Sequence, residues 1–314
     1  MKATRTRNEV LIPIFSLIHL ALIAAYLYLV TRKGETIMPE ELRAPPAHPK
    51  KAKVSADHVV LVLSGKGGVG KSTVAANLAI ALANHGHSTG LLDLDIHGPD
   101  IPKMLGIEEK RLVSYVKNKI EPVQYSPNLK VVSMAFLLPE RSTPVIWRGP
   151  MKMTAIRQFL EDVDWGDLDF LVVDLPPGTG DEVLTIAQIA PNIEGAVVVT
   201  TPQEVAILDI SKAVRFAQEI GIRVLGIIEN MSGLVCPYCG EEIDLFGTGG
   251  GKRAAEEMRV PYLGSIPMDP EMRKAGDEGR PFISQEAGEG GESATHARIR
   301  EVMENLIRVI KEGS

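Results

Sequence analysis

The sequence is poor in cysteine, in aromatic side chains and, over most of its length, in positive charge. Its 314 residues include only two cysteines. Two are too few for a disulfide framework in a chain of this size, so a reducing compartment is expected and the pair reads as a redox or metal motif. Aromatics make up 5%, which leaves few platforms on which single-stranded bases could stack. Residues 1–53 carry nine basic and four acidic side chains, leaving 25 basic against 36 acidic, a net of −11, for the remainder. Such a body lacks the clustered positive charge that displaces counterions from nucleic-acid phosphates, and no nucleic-acid partner is expected. No internal repeat is evident.

Long apolar runs are also scarce; the one example covers residues 10–30, from Val10 to Val30, broken only by Pro13, Ser16 and His19. As a helix it would span about 31 Å, enough for a bilayer core. Lys2, Arg5 and Arg7 precede it and Arg32 and Lys33 follow, so the flanking charge does not orient it. It is long for a cleavable signal and lacks a small-residue cleavage site. Two readings stand for residues 1–37: a transmembrane anchor, or an upstream extension of a chain that starts at Met38. Residues 38–57, with prolines at 39, 45, 46 and 49 and lysines at 50, 51 and 53, read as a flexible tether.

From residue 58 onward, apolar runs of strand length at 58–63, 91–93, 129–133, 170–174, 196–200, 223–229 and 262–266 alternate with helical patterns. The helical patterns cover 71–83, 151–161, 182–189, 205–219 and 251–258, and a final amphipathic helix is expected over 294–310. Strands that read as continuous Val/Ile/Leu runs are buried on both faces, as in a parallel sheet between helix layers. The expected fold class is therefore α/β, a doubly wound, mostly parallel sheet forming one domain over 58–314.

Directly after the first strand comes Ser64-Gly65-Lys66-Gly67-Gly68-Val69-Gly70-Lys71-Ser72-Thr73, a phosphate-loop pattern in its required strand–loop–helix context. Glycines let successive backbone N–H groups turn inward around phosphate oxygens, and the following helix adds its positive N-terminal end. Lys71 is placed to neutralise the β- and γ-phosphates of ATP, and the Ser72 hydroxyl to ligate Mg²⁺. The second strand ends on Asp93, with Asp95 and Asp100 shortly after; carboxylates at this end of a parallel strand stand at the ligand crevice. Asp93 is expected to be structural or an outer-sphere metal partner, and His97 a loop residue. Four apolar residues ending in Asp174 fit a Walker B strand that reaches Mg²⁺ through water. The turn after it, Leu175-Pro176-Pro177-Gly178-Thr179-Gly180-Asp181, offers the Gly178 N–H to the γ-phosphate as a switch.

The two cysteines fall in Cys236-Pro237-Tyr238-Cys239-Gly240, ahead of Phe246-Gly247-Thr248-Gly249-Gly250-Gly251. Three chemistries fit the pair: a redox dithiol, half of a tetrahedral zinc site, or half of an iron–sulfur ligand set. The redox motif usually opens a helix in a thioredoxin-like unit, whereas this pair lies in a glycine-rich loop. The two metal readings each need two further ligands.

The second lysine of the loop, Lys66, resembles the signature lysine of the deviant Walker A motif shared by the MinD, nitrogenase iron protein and ParA class. That resemblance implies a dimer in which Lys66 reaches the partner's nucleotide, as an arginine finger does, with Asp95 orienting the attacking water. The whole motif set more closely resembles the Mrp/ApbC family of P-loop iron–sulfur cluster carriers: residues 65–73, 93–102, Trp147-Arg148-Gly149-Pro150-Met151, 174–181, Thr201-Pro202-Gln203-Glu204, Asn230-Met231-Ser232 and 236–239. The resemblance runs from about residue 55 to the C-terminus. It implies a cytoplasmic homodimer that bridges a labile [4Fe–4S] cluster between two Cys236/Cys239 pairs and passes it to client apoproteins, gated by ATP, with Asn230 reading the adenine edge. Asp100, where a serine is often found, and the apolar N-terminus depart from the pattern. If the apolar segment is an anchor, the body is tethered to the inner face of the membrane. The rival from another class is a membrane-associated partition or positioning ATPase of the MinD/ParA type. A bacterial tyrosine kinase would carry a tyrosine-rich tail, and no tyrosine follows Tyr262.

Overall fold

Val59, Val60, Leu61, Val62 and Leu63 are all buried, and alternate members face opposite layers because successive strand side chains point to opposite faces. The computed structural model describes residues 50–96, 98–115, 119–137, 149–236, 239, 241–284 and 294–313. In chain order the first half comprises β1 (Ala56–Ser64), α1 (Lys71–Asn84), β2 (Thr89–Asp93), α2 (Ile101–Met104), β3 (Val113–Tyr115), β4 (Lys119–Glu121), β5 (Val123–Ser126), β6 (Leu129–Ser133), α3 (Gly149–Glu161) and β7 (Leu168–Asp174). The second half comprises α4 (Asp181–Ile189), β8 (Ile193–Thr200), α5 (Glu204–Glu219), β9 (Val224–Val235), β10 (Glu242–Ile243), α6 (Gly250–Met258), β11 (Tyr262–Met268), α7 (Pro270–Asp277) and α8 (Ala294–Gly313).

The main sheet runs β10-β9-β8-β1-β7-β2-β6-β5, with β11 also on β9. Every pairing in it is parallel except β5 on β6 and β10 on β9. Val59, Leu61 and Leu63 pack with Phe159, Val183, Ile186, Ile210 and Val214 of α3, α4 and α5 on one side. Val60 and Val62 pack with α1 and with Ile299, Val302 and Leu306 of α8 on the other. The expected doubly wound α/β sheet is therefore what forms. All seven expected strands and all six expected helices form, their ends displaced by a few residues or less except at β9, which runs on to Val235.

The short elements β3, β4, β5, β10, α2 and α7 escaped the sequence reading. The body also starts earlier than residue 58. Ala52 is buried, its N–H donates to Ile189 O at 2.7 Å, and Lys51 Nζ donates to Ala190 O at 2.8 Å. The part of the expected tether that is described, residues 50–57, thus lies on the body and enters β1. The lysines there supply little apolar area, but satisfied backbone groups hold the strap in place. The expected anchor at residues 10–30, His97, Trp147 and Arg148 lie outside the described residues. Among the described residues no helix is long and apolar enough to cross a membrane.

Candidate functional site: a phosphate loop and a thiol loop on one sheet edge

Parallel β1, β7, β2, β8 and β9 all end on the same side, and the candidate site residues collect there. The loop after β1 hands directly into α1, whose first residue follows Gly70 in the left-handed conformation (φ 80°). No side chain caps α1 and no acid sits in its first turn, so its N-terminal N–H groups and positive end are open to an anion. Gly70 is required twice over: its φ is one that only glycine adopts cheaply, and a Cβ there would stand 2.1 Å from Asn230 Nδ2. Gly70→Ala is expected to weaken ATP binding about tenfold, from the roughly 1–2 kcal/mol of left-handed strain and the displaced Asn230; titration with a fluorescent nucleotide measures it.

Lys71 is 6% exposed, and its Nζ donates to Asp174 Oδ1 at 2.6 Å and to Ser72 Oγ at 3.4 Å. Asp93 lies opposite Asp174 in the β2–β7 register. Ser133 Oγ donates to one Asp93 oxygen at 2.7 Å and the Asp95 N–H to the other at 3.1 Å. Burial, then the neighbouring Asp174 charge, holds the Asp93 carboxyl well above its usual range. Burial also raises Asp174, against the opposing pull of Lys71 and Ser72. Asp100 is raised by burial and by Asp95. Asp93 and Asp174 thus put two buried carboxyl groups beside one buried cation, Lys71.

Asp174 Oδ2 is buried with no hydrogen-bond partner, and a buried orphan acceptor calls for a donor or cation. With the Ser72 hydroxyl beside it, the residues present fit a hydrated Mg²⁺.

The other predicted residues fall into place around this centre. Asp95 Oδ1 accepts the Gly98 N–H at 3.2 Å, forming the turn after β2. The Gly178 N–H donates to Ser64 O at 2.9 Å, so offering it to a phosphate requires that bond to break. Lys66 Nζ lies 3.5 Å from Gln203 Oε1, which also accepts the Thr201 hydroxyl at 3.0 Å. Asn230 donates from Nδ2 to Val69 O at 2.9 Å. Beside it a cavity of about 470 Å³ opens from Gly70 and Thr73 to Met231, Pro267 and Phe282. It is large enough for a nucleoside and adjoins the phosphate loop. Pro267 and Phe282 were missed at the sequence level because no spacing ties them to the loop.

Cys236 and Cys239 lie beyond the end of β9, and no disulfide joins them. The Cys236 N–H donates to Glu241 O at 2.9 Å, closing the loop toward β10. Cys239 is exposed and Cys236 half-buried.

A family model described as ParA, NUBPL iron-transfer P-loop NTPase, matches residues 55–307. An iron-sulfur cluster carrier protein of Methanocaldococcus jannaschii is 54% identical over 226 residues, 72% of this chain and 78% of that one. Among solved structures, a nucleotide-binding protein of Archaeoglobus fulgidus, in complex with ADP and with cobalt found, is 38% identical with a TM-score of 0.64, covering 77% of this chain and 94% of that one. The cell division ATPase MinD of Pyrococcus furiosus, at 23% identity and a TM-score of 0.57 over 80% of this chain and 99% of its own, shares the fold. With its phosphate loop, strand-end aspartates and thiol loop each following a parallel strand of one sheet, the chain belongs to the ParA family of NUBPL-type iron-transfer P-loop NTPases.

Proposed function

We propose that this chain is an ATP-binding and ATP-hydrolysing iron–sulfur cluster carrier that assembles a [4Fe–4S] cluster as a homodimer and transfers it to client apoproteins. The observation that carries the reading is the course of β9. One strand contributes Asn230 to the phosphate loop and, ending at Val235, leads directly into the loop that carries half-buried Cys236 and exposed Cys239. A positioning ATPase has no use for a thiol pair at the end of that strand.

In this reading the N–H groups of residues 65–73 and the start of α1 hold the triphosphate. Lys71 turns from Asp174 toward the β- and γ-phosphates. Ser72 and, through water, Asp174 would hold Mg²⁺, which would supply charge neutralisation at the phosphates. Asp95 orients the water that attacks the γ-phosphorus as the bond to the ADP oxygen breaks. Lys66 leaves Gln203 to counter charge on the partner's nucleotide. Gly178 exchanges Ser64 O for the γ-phosphate, so that switch movement follows nucleotide state. The cluster is cargo, held by two thiolates from each chain, since such clusters take four. In this reading the body works in the cytoplasm, where ATP is available and thiols stay reduced.

The test is anaerobic reconstitution with iron and sulfide, followed by native mass and iron analysis. A dimer carrying about four iron atoms, as a single Cys₄ cubane requires, is the expected result. Zinc retention by anaerobically purified protein with no iron uptake would contradict it.

A further inference from the structure

Glu229 is fully buried near the middle of β9, where an acid has no place unless it is satisfied. Three donors converge on it. The Ser232 hydroxyl and the Gly249 N–H reach Oε1, the latter at 2.9 Å, and the Gly251 N–H reaches Oε2 at 2.5 Å. The last two open α6, the helix that follows the thiol loop, so the carboxylate sits on that helix's positive end. The packing leaves no slack: a Cβ on Gly251 would lie 3.0 Å from Glu229 Cβ, and one on Gly250 would lie 2.1 Å from Pro202 O. These contacts explain Gly250 and Gly251, and Gly249 is left-handed at φ 76°.

The next residue, Asn230, grips Val69 O of the phosphate loop. The one after, Met231, lines the cavity beside that loop and is a non-glycine residue in the left-handed region, at φ 58°. Ser232 then turns back onto Glu229, and Gly233 is again left-handed, at φ 73°. Opposite this stretch the β11 pairing shifts register between Ile266 and Met268. Adjacent residues therefore hold the nucleotide loop on one side and the far flank of the thiol loop on the other, across a strained backbone whose population a ligand can bias.

We propose that Glu229 is a positioning residue: through Gly249, Gly251 and Ser232 it ties the Cys236–Cys239 loop to the segment at residues 230–231, so that nucleotide binding changes how the thiols are presented. This rests on the reading of the site as a nucleotide-gated carrier and names the link that gates it.

The experiment uses the full chain without cluster and measures iodoacetamide alkylation rates at Cys236 and Cys239 by mass spectrometry, with and without a non-hydrolysable ATP analogue and Mg²⁺. In the unaltered chain nucleotide is expected to change the rate by about fivefold or more, the lower range of allosteric coupling. Glu229→Gln replaces an acceptor of two N–H groups by an amide that presents hydrogens to one of them, and should bring the ratio close to one while analogue binding persists. Ser232→Ala removes one donor only, should lower the ratio, and decides the matter if Glu229→Gln does not fold. A merely structural role would shift both rates together and leave their ratio intact. The unaltered ratio in the folded variant, or no nucleotide dependence in the unaltered chain, overturns the proposal. Cluster loading is measured separately, so a chain that loads iron but shows no nucleotide-dependent alkylation removes this link and leaves the carrier reading standing.

Discussion

In the double variant Cys236→Ala/Cys239→Ala, reconstitution with iron and sulfide is expected to give no charge-transfer absorbance at about 400 nm, where thiolate-bound clusters absorb, while nucleotide still binds. The separation of effects follows from the fold. The thiol pair lies beyond the sheet, past Val235, on a loop whose own backbone closure is the Cys236 N–H to Glu241 O bond, and a main-chain bond survives loss of the thiol. The phosphate loop is held from elsewhere: by Asn230 at Val69 O, by Lys71 at Asp174, and by the close approach of Asp209 to Gly65. Retention of the absorbance in the double variant would show that iron is held at other groups.

The second large effect is expected at Lys66. Its amine lies 3.5 Å from Gln203 Oε1 in a single chain, whereas Lys71 is already buried against Asp174. On the proposed reading the two lysines of one loop divide the work: Lys71 serves the chain's own phosphates and Lys66 the partner's. Lys66→Ala should leave ATP affinity within a few-fold yet lower the hydrolysis rate by about 10³-fold or more, the loss typical of a removed trans-acting cation. Lys71→Ala should behave differently. It leaves the Asp174 carboxylate buried without its cation, a defect of about 3–5 kcal/mol for a broken buried pair, and so impairs folding as well as binding. Steady-state phosphate release and nucleotide titration on both variants, with thermal melts, separate the two roles. Unchanged hydrolysis in Lys66→Ala would remove the trans role and with it the functional need for a nucleotide-bridged dimer.

Much of this site is legible in the sequence because its parts obey local rules. The strands ending at Ser64, Asp93 and Asp174 are apolar runs with polar residues at the crevice end, and register places Asp93 beside Asp174 as two strand-end acids would suggest. The loop from Gly65 to Thr73 is a spacing rule that its fold context supports. What escaped the reading depends on contacts between distant segments. Glu229 looks like a stray acid in an apolar strand, because two of its three donors are backbone N–H groups 20 and 22 residues away. The only trace of them in the sequence is the glycine run they require. The strap at residues 50–55 has tether composition and is fixed by backbone and lysine bonds to the end of α4. The continuation of β9 to Val235 was cut short at Glu229, because Asn230, Ser232 and Gly233 break the apolar pattern where the strand leaves the core to serve both loops.

The central claim, that this ATPase carries clusters for delivery, is tested most directly by transfer itself. The reconstituted chain is mixed anaerobically with an apo form of an enzyme that needs a [4Fe–4S] cluster, in the presence of an iron chelator, with and without ATP and Mg²⁺. The account predicts that the acceptor gains activity at a rate that depends on nucleotide, as the donor loses its absorbance. An acceptor that stays inactive, or that gains activity no faster than from free iron and sulfide under the same chelator, would contradict it.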